Sequence, residues 1–376
     1  MDFDLDEELQ LIRNTARDFA QSEVAPTAAA RDREHRFPRE EFRKAAELGF
    51  AGMLVPERYG GSELGTLALA LVIEEVSRAC ASMGVTLSVH NSLVTSPILR
   101  HGTEAQKERW LPRLASGELL GAYALSEANA GSDAAGLECK AARDGEGWRL
   151  NGSKLWITSG SHAGLFIVFA RASEGITAFL VPRESAGLAV GKSEEKLGIR
   201  SSSTVELLLD GVQLPADAVL GQPGKGLHVA FDTLDGGRIG IAAQALGIAQ
   251  ASLDASVKYA GQREQFGQKL ARFQAVQFKI AQVSADLGAA RLACWRAAWL
   301  RDRGRPHTTE AAQAKLVCSQ LANRAADEAV QIHGGAGYTT EFPVARYFRD
   351  ARITEIYEGT SEIQKIVIAR ALLDPR

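Results

Sequence analysis

The first third of the chain has the hydrophobic spacing of amphipathic helices. Leu9, Ile12, Ala16 and Phe19 recur every three or four residues, which places them on one face of a helix. A second apolar run covers residues 67–81, and residues 103–106 (TEAQ) have the form of a capping box. This box predicts a helix that ends near Gly117. Residues 6–117 are therefore predicted to be helical.

The pattern changes near residue 120 to one that is typical of strands. Residues 148–150 and 154–158 flank Asn151 and Gly152, a pair that favours a two-residue hairpin turn. Further strands are predicted from short apolar or alternating runs at 165–169, 176–181 and 203–209. Residues 120–222 are therefore predicted to form a small, entirely β domain.

Helical spacing returns after Gly226 and continues to the end of the chain. Long helices are predicted over residues 238–260, 273–301, 309–332 and 361–373, with glycines at 334–335 as a stop and a second capping box at 361–364 (SEIQ). The prediction is an α+β multidomain protein. Its domains are a helical domain (1–118), a β domain (119–226) and a helical bundle (227–376).

Composition and charge exclude several classes of function. The chain has 376 residues, 45% of them hydrophobic, and a net charge of −3, so nothing favours nucleic acid or a membrane surface as a partner. No apolar run reaches the length of a spanning helix, and the acidic N-terminus lacks the pattern of a signal or transit peptide. We expect a cytoplasmic protein whose four cysteines are reduced core residues. The seven histidines lack metal-ligand spacing, so no metal site is predicted.

Residues 356–362 (IYEGTSE) are the strongest candidate for chemistry. Glu358 lies between an aromatic residue and a glycine, just before a helix begins. Apolar neighbours raise the pKa of such a carboxylate, which suits a general base. The start of the next helix offers free N–H groups to an anion. A capping loop with an incidental glutamate is the alternative interpretation.

Three other segments have a composition suited to binding a cofactor. Residues 124–133 (ALSEANAGSD) mix hydroxyl groups with small residues. Residues 331–338 (QIHGGAGY) follow a predicted helix, whereas a Rossmann fingerprint follows a strand. Residues 263–268 (REQFGQ) place an arginine near an aromatic ring, which suits a pyrophosphate, although these residues by themselves favour an exposed turn between helices. Residues 221–226 (GQPGKG) lack the spacing of a phosphate loop and are interpreted as a linker turn.

Taken together, these segments resemble the acyl-CoA dehydrogenase family over nearly the whole chain. Residues 124–133 are similar to the family's first signature, and residues 331–338, followed by Glu341, Arg346 and Asp350, are similar to its second. Residues 357–361 (YEGTS) are similar to its catalytic segment. One departure concerns Ala128 and Asn129, which stand where the family usually has Pro-Gly. This departure leaves the path of that loop open.

The resemblance implies an N-terminal helical domain, a central β-barrel or sandwich and a C-terminal four-helix bundle. It also implies a homotetramer, built as a dimer of dimers, with FAD near a subunit interface. Glu358 is the implied catalytic base, and Ser132, Asp235, Arg238 and Gly359 are the implied substrate contacts. The implied FAD contacts are Leu125, Ser126, Ser132, Trp156, Ile157, Thr158, Gln331, Gly334, Gly335, Thr360 and Glu362, together with Arg263, Phe266 and Gln274, which would reach the FAD of a neighbouring subunit.

The implied reaction is the α,β-dehydrogenation of an acyl-CoA, as in fatty-acid β-oxidation. Glu358 would remove the α-proton, the β-hydride would pass to the flavin, and an electron-transfer flavoprotein would take the electrons. The backbone N–H of the base and a flavin ribityl hydroxyl would stabilise the enolate charge.

Residues 235–242 (DGGRIGIA) bear on the substrate. Isovaleryl-type relatives carry the base directly before the arginine, where this chain has Gly237, so that type is disfavoured. Short-chain, butyryl-type enzymes match best. The 2-methyl-branched short-chain type, a medium-chain enzyme, an acyl-CoA oxidase and a non-catalytic, DNA-associated relative are the alternatives.

Overall fold

Seven α-helices form the N-terminal part of the chain, as the hydrophobic spacing predicts. The computed structural model describes residues 4–374, so the first three residues of the acidic N-terminus lie outside it. Thr103 and Gln106 form the predicted capping box. The helices are α1 Glu7–Phe19, α2 Ala25–Glu34, α3 Arg39–Glu47, α4 Gly65–Ala79, α5 Ala81–Ser88, α6 Ser96–His101 and α7 Glu104–Ala115, with π-helical turns at Ala20–Val24 and Val89–Thr95.

An eight-stranded, mostly antiparallel sheet follows, in the order β6-β7-β3-β2-β4-β5-β8, with β1 parallel to β4. This confirms the predicted central β domain. The strands are β1 Gly121–Ala124, β2 Lys140–Asp144, β3 Gly147–Thr158, β4 Leu165–Ala172, β5 Gly175–Pro182, β6 Leu188–Ser193, β7 Thr204–Leu214 and β8 Val219–Leu220.

Strand β4 joins the β domain to the helices because both of its faces are buried. Phe166 and Val168 pack inside the β domain, whereas Ile167 and Phe169 pack against the N-terminal helices and the start of the next long helix. Successive side chains of a strand point to opposite faces. The continuous apolar run at 165–169 therefore marks a strand between two hydrophobic cores, and it fixes the β domain against the helices.

The hairpin turn predicted at Asn151 and Gly152 is wrong. Strand β3 runs through both residues, and the β2–β3 hairpin turns at Gly145, before β3 begins. A register shift against β7 lies at this point, so the glycine belongs to a β-bulge. A Cβ on Gly152 would lie 2.9 Å from the Cys139 Cα. Because Gly152 has no side chain, the backbone of β3 can pass close to the backbone at Cys139.

The C-terminal part is a bundle of four long helices, α8 Gly226–Gln262, α9 Gln274–Asp302, α10 Thr308–His333 and α12 Ser361–Leu373, with the shorter α11 Val344–Arg352. The four-helix bundle is confirmed. Helix α8 packs mainly against α10 and α4. It begins at Gly226, well before residue 238, where the sequence predicted its start. The glycines at 236 and 237 lie within the helix and do not interrupt it.

The second predicted capping box is wrong by one residue. The N-cap of α12 is Thr360, whose hydroxyl accepts from the Ile363 N–H, whereas the sequence placed the cap at Ser361. Ile363 stands at the position where a capping box needs a glutamate or glutamine, so only half of that motif forms.

The four cysteines (Cys80, Cys139, Cys294 and Cys318) are buried and unpaired, which confirms that they are core residues. Within residues 4–374, no helix has both the length and the apolarity needed to cross a bilayer. The same residues contain no cluster of histidine, cysteine or carboxylate side chains that could hold a metal ion.

Candidate active site around Glu358

The loop that carries Glu358 adopts a backbone conformation that few residues tolerate. Glu358 has a φ of 52° and Gly359 a φ of 92°, so two consecutive residues are left-handed. Two side chains hold this conformation by donating to the Gly359 carbonyl: Lys315 Nζ at 2.7 Å and Gln364 Nε2 at 2.8 Å. The Tyr357 hydroxyl, one residue earlier, donates to Gln244 on α8. The loop is thus tied to α8, α10 and α12.

The Glu358 carboxylate is buried without a hydrogen-bond partner. Both of its oxygens are inaccessible, and neither is paired with any described residue. Burial raises the pKa of Glu358 to about 7, while the charges of Lys315 and Arg238 oppose this rise. A buried acceptor without a partner costs about 1–3 kcal/mol. Such an arrangement is typical of a group that is reserved for a ligand.

Gly237 on α8 makes the room that this carboxylate occupies. A Cβ at this position would lie 1.9 Å from Glu358 Oε2 and 2.9 Å from Leu93 Cδ2. A side chain at position 237 and a glutamate at position 358 therefore exclude each other in this geometry. The described structure shows one carboxylate at this point, supplied by the C-terminal loop.

Two of the predicted substrate contacts, Asp235 and Arg238, lie on α8 next to Gly237 in the sequence. Arg238 Nη1 bonds to Asp235 Oδ1 at 2.5 Å, and Thr308 Oγ1 donates to the other Asp235 oxygen at 2.5 Å. Arg238 is buried, and its Nε has no partner in the described structure. The structure thus brings Asp235, Arg238, Glu358 and Gly359 together. It joins none of these to Ser132, which is exposed in the loop after β1.

The ends of β1 and β3 bring together the predicted flavin contacts at 125–126 and 156–158. The Leu155 N–H donates to the Ser126 carbonyl at 2.9 Å, which fixes the two segments side by side. Trp156 lies in a register shift between β3 and β7 with a φ of 62°, and its side chain is 59% exposed. Ile157, by contrast, is buried in the β domain.

These residues fit a flavin. The exposed indole of Trp156 offers a flat apolar face. Ser126 and Thr158 make no side-chain hydrogen bond within residues 4–374, so their hydroxyl groups are free to bond to a polar ring edge. The bulge turns Trp156 outward, whereas the next residue, Ile157, packs in the core of the β domain. No packing within residues 4–374 accounts for the exposed indole.

The loop from Glu127 to Cys139 follows a defined path, although it lacks the family's Pro-Gly. Glu127 and Ala130 exchange backbone hydrogen bonds at 3.0 and 3.2 Å, which closes a tight turn over the two departing residues. The Glu127 carboxylate accepts from the N–H groups of Glu138 and Cys139 and from Lys154 Nζ, at 2.6, 3.0 and 2.6 Å. Hydrogen bonds to the buried Glu127–Lys154 ion pair thus fix the path of this loop.

Arg263, Phe266 and Gln274 lie apart from the Glu358 loop. The short strands β9 Glu264–Gln265 and β10 Gln268–Lys269 form a hairpin whose tip, Phe266 and Gly267, has φ values of 53° and 76°. Phe266 is 94% exposed, and Arg263 and Gln274 are also exposed. No described contact joins them to the segments at 125–126 or 156–158. A hairpin that presents a phenyl ring to solvent suits a contact with a second chain.

The remaining predicted FAD contacts fall into two separate groups. Thr360 and Glu362 begin α12 beside Lys315, whereas Gln331, Gly334 and Gly335 end α10. Sixteen residues separate Lys315 from Gln331 on one helix, which is roughly 24 Å. One chain therefore presents the two groups at well separated places.

Sequence reasoning missed three residues of the site: Lys315, Tyr123 and Lys154. Lys315 had a detectable signal, because Ala311, Lys315, Cys318 and Ala322 form one buried stripe of α10. A lysine in such a stripe indicates a partner in the interior. Tyr123 on β1 gave no signal. Its hydroxyl is buried without a partner in the described structure, and its pKa is raised well above the ordinary value, by burial and by the charge of Glu358.

Known proteins support the family assignment over the whole chain. Family models for the acyl-CoA dehydrogenase N-terminal, middle and C-terminal domains match residues 6–118, 122–212 and 224–373. The short-chain specific acyl-CoA dehydrogenase of Mus musculus mitochondria is 51% identical over 98% of this chain and 91% of its own length.

Two solved structures are similar throughout. Butyryl-CoA dehydrogenase from Megasphaera elsdenii is 45% identical, covers 99% of this chain and 100% of its own, and superposes with a TM-score of 0.98. A chain from a study of the electron transferring flavoprotein of Acidaminococcus fermentans is 43% identical, covers 100% of both chains and has the same TM-score. This chain therefore belongs to the acyl-CoA dehydrogenase family, whose members are FAD-dependent oxidoreductases that act on acyl-CoA thioesters.

Proposed function

We propose that this protein dehydrogenates a short-chain acyl-CoA to the trans-2-enoyl-CoA, with Glu358 as the general base. The observation that carries the proposal is the buried Glu358 carboxylate, both of whose oxygens lack a partner in the described structure. Its pKa of about 7 keeps a substantial basic fraction at neutral pH while making the carboxylate a stronger base than an exposed glutamate.

In the proposed reaction, one Glu358 oxygen takes the proton from the α-carbon and becomes a carboxylic acid. The β-hydrogen leaves with its electron pair, and the Cα–Cβ double bond forms. FAD, when bound, would supply the acceptor for that hydride. The atoms and electrons balance, because one proton goes to the protein and one hydride to the cofactor.

The backbone N–H of Glu358 is available to the thioester carbonyl. It makes no hydrogen bond within the described part of the chain, and the left-handed conformation of Glu358 and Gly359 is held by donors to the neighbouring carbonyl. An N–H fixed in this way stabilises the negative charge that develops on the carbonyl oxygen as the α-proton leaves. We assign Asp235, Arg238, Gly359 and Ser132 to contacts with the rest of the substrate.

The preference for a short acyl chain is supported by relatives and by the residues beside the base. Leu93 and Tyr123 lie close to the carboxylate and pack in the hydrophobic core. These bulky side chains leave less length beside Glu358 than small ones would. A 2-methyl-branched or medium-chain substrate is the alternative, since one methylene changes binding by only about 1–3 kcal/mol.

The homotetramer is supported by an exposed apolar stripe on α9. Phe278, Leu292 and Trp299 are 67%, 42% and 41% exposed, and they recur at multiples of seven residues, the spacing of a helix–helix contact. The intervening positions of the same heptad pattern are Ala281, Ala285, Gly288 and Trp295. The small residues at its centre allow a helix of another copy to approach closely.

Assembly would also complete the cofactor site. Arg263, Phe266 and Gln274 project from the tip and end of an exposed hairpin, and we assign them to the FAD of a neighbouring subunit. The match to a chain studied with an electron transferring flavoprotein supports such a protein as the electron acceptor. The cytoplasmic location and a role in fatty-acid β-oxidation stay predictions.

Anaerobic titration of the purified holoenzyme tests the proposal. The flavin absorbance is followed while butyryl-CoA (C4), a branched C5, a C8 and a C16 acyl-CoA are added separately. Bleaching at the lowest concentration with the C4 thioester is the expected result, and stronger bleaching with C5 or C8 would establish an alternative substrate. A protein that takes up no FAD, or whose flavin no acyl-CoA bleaches, would contradict the proposed function. Rapid peroxide formation in air would indicate an oxidase instead.

A further inference from the structure

Lys315 is a buried cation that the proposed reaction does not use. Its side chain is fully buried on the α10 stripe, with the buried side chains of Ala311, Cys318 and Ala322 on the same face. Its Nζ donates to the Gly359 carbonyl at 2.7 Å. No carboxylate within residues 4–374 forms an ion pair with it. Burying an ammonium group without a counter-ion is costly, so its presence beside the base loop calls for a reason.

The other cation near Glu358 is already paired. Arg238 is bonded to Asp235 at 2.5 Å, so much of its field is cancelled by the adjacent carboxylate. The remaining groups that face Glu358 are the phenols of Tyr123 and Tyr357, which are neutral at physiological pH. Among the residues that the structure describes, Lys315 is therefore the cation near Glu358 whose charge no bonded carboxylate offsets.

Most of the charged groups near Lys315 are acidic. Glu358, Glu355 and Glu362 favour its charged form, while Arg238 and burial disfavour it. Burial is the larger effect and lowers the pKa of Lys315 to about 8. At pH 7 the side chain is therefore still mostly protonated, at the pH where Glu358 is close to half ionised.

We propose that Lys315 is a positioning residue for the base: its ammonium group holds the Gly359 carbonyl, which fixes the left-handed loop, and its charge favours the ionised, basic form of Glu358. The inference rests on the proposed function of Glu358 as the base. Lys315 acts through Glu358 and touches neither proton nor hydride. Gln364 also holds the loop, because it donates to the same carbonyl. It carries no charge, so it does not favour the ionised form of Glu358.

The pH profile of kcat/KM separates the two tasks, because it reports the ionisation of groups in the free enzyme. In the wild-type holoenzyme we expect kcat/KM to rise with pH through a midpoint near 7, since the base must be unprotonated. Lys315→Met removes the charge and should raise this midpoint. If the midpoint rises by one pH unit, this change alone lowers kcat/KM about fivefold at pH 7 and only by about a quarter at pH 8.5. The lost hydrogen bond to the Gly359 carbonyl adds a decrease that is the same at every pH.

Gln364→Met is the matched control, since it removes a donor to the same carbonyl without removing a charge. We expect it to lower kcat at every pH and to leave the midpoint unchanged. Lys315→Gln, which is neutral but polar, serves as a second variant in case the methionine variant fails to fold. Each variant is compared as FAD-loaded protein, so that a loss of cofactor is not mistaken for a change in the base.

Two outcomes distinguish this inference from the proposed function. If Glu358→Gln is inactive but every folded neutral variant of Lys315 keeps the wild-type midpoint, the role of Lys315 is wrong and Glu358 remains the base. If Glu358→Gln keeps its activity, the assignment of the base is wrong, and the inference about Lys315 falls with it.

Discussion

The chemistry of this site depends on close contacts between individual residues. The Glu358 carboxylate is buried because α8 has a glycine opposite it, and its loop is left-handed because Lys315 and Gln364 hold one carbonyl. The motif around Glu358 could be predicted from the sequence. The two donors could not, because their positions relative to the loop depend on how α10 and α12 pack.

Gly237→Ala should sharply reduce activity. The new methyl group would lie 1.9 Å from Glu358 Oε2, so the carboxylate must move, and a displacement of about 1 Å can cost on the order of 10²-fold in rate. Steady-state kcat with butyryl-CoA is the measurement, with the FAD content of each sample determined in parallel.

Gly261→Ala is the control, since it lies on the same helix and its added Cβ meets nothing within 4 Å. We expect it to leave kcat unchanged. Wild-type kcat in the Gly237→Ala variant would mean that the carboxylate does not occupy the position described.

At the scale of elements, one short sequence pattern formed a different structure from the one that it predicts. Asn151 and Gly152 predicted a turn, but the chain continues as β3 because the glycine lets the segment at Cys139 come close. The preference of Asn-Gly for a turn is local, and the pairing of β3 with its neighbouring strands overrides it. The capping box at Thr103 depends on local contacts alone, and it formed as predicted.

Lys154→Met should loosen the loop at 127–139 and weaken the binding of FAD. Lys154 is fully buried and pairs with Glu127 at 2.6 Å, and removing one partner of a buried ion pair costs about 3–5 kcal/mol. Thermal unfolding with and without added FAD measures both effects. Lys192→Met, on an exposed side chain of the same domain, should leave both unchanged. Equal melting temperatures for the two variants would contradict a structural role of the buried pair.

At the scale of the whole molecule, the residues predicted to contact FAD lie at separate places on one chain. The segments at 125–126 and 156–158 lie together, but the hairpin with Phe266 and the end of α10 with Gln331 lie elsewhere. The family resemblance identified these residues, but neither the sequence nor a single chain places them around one cofactor. Their separation is explained if the second set serves a neighbouring subunit.

Ala285→Glu should therefore dissociate the assembly and release FAD. Ala285 is exposed in the single chain and lies at the centre of the α9 stripe, so the fold should tolerate the charge while a helix contact should not. Light scattering after size-exclusion chromatography is expected to give about four times the 40.3 kDa chain mass for the wild type and a smaller mass for the variant. Ala29→Glu, also exposed but on α2, should stay tetrameric. A wild-type monomer that retains FAD would contradict this arrangement.

The most direct test of the central claim is the rate of flavin bleaching in Glu358→Gln, measured anaerobically by stopped flow with butyryl-CoA. Glutamine has nearly the same shape and cannot accept the α-proton as a carboxylate does, so FAD and substrate should still bind. We expect the bleaching rate to fall by about 10²-fold or more. Bleaching at the wild-type rate in the FAD-loaded variant would show that Glu358 is not the base.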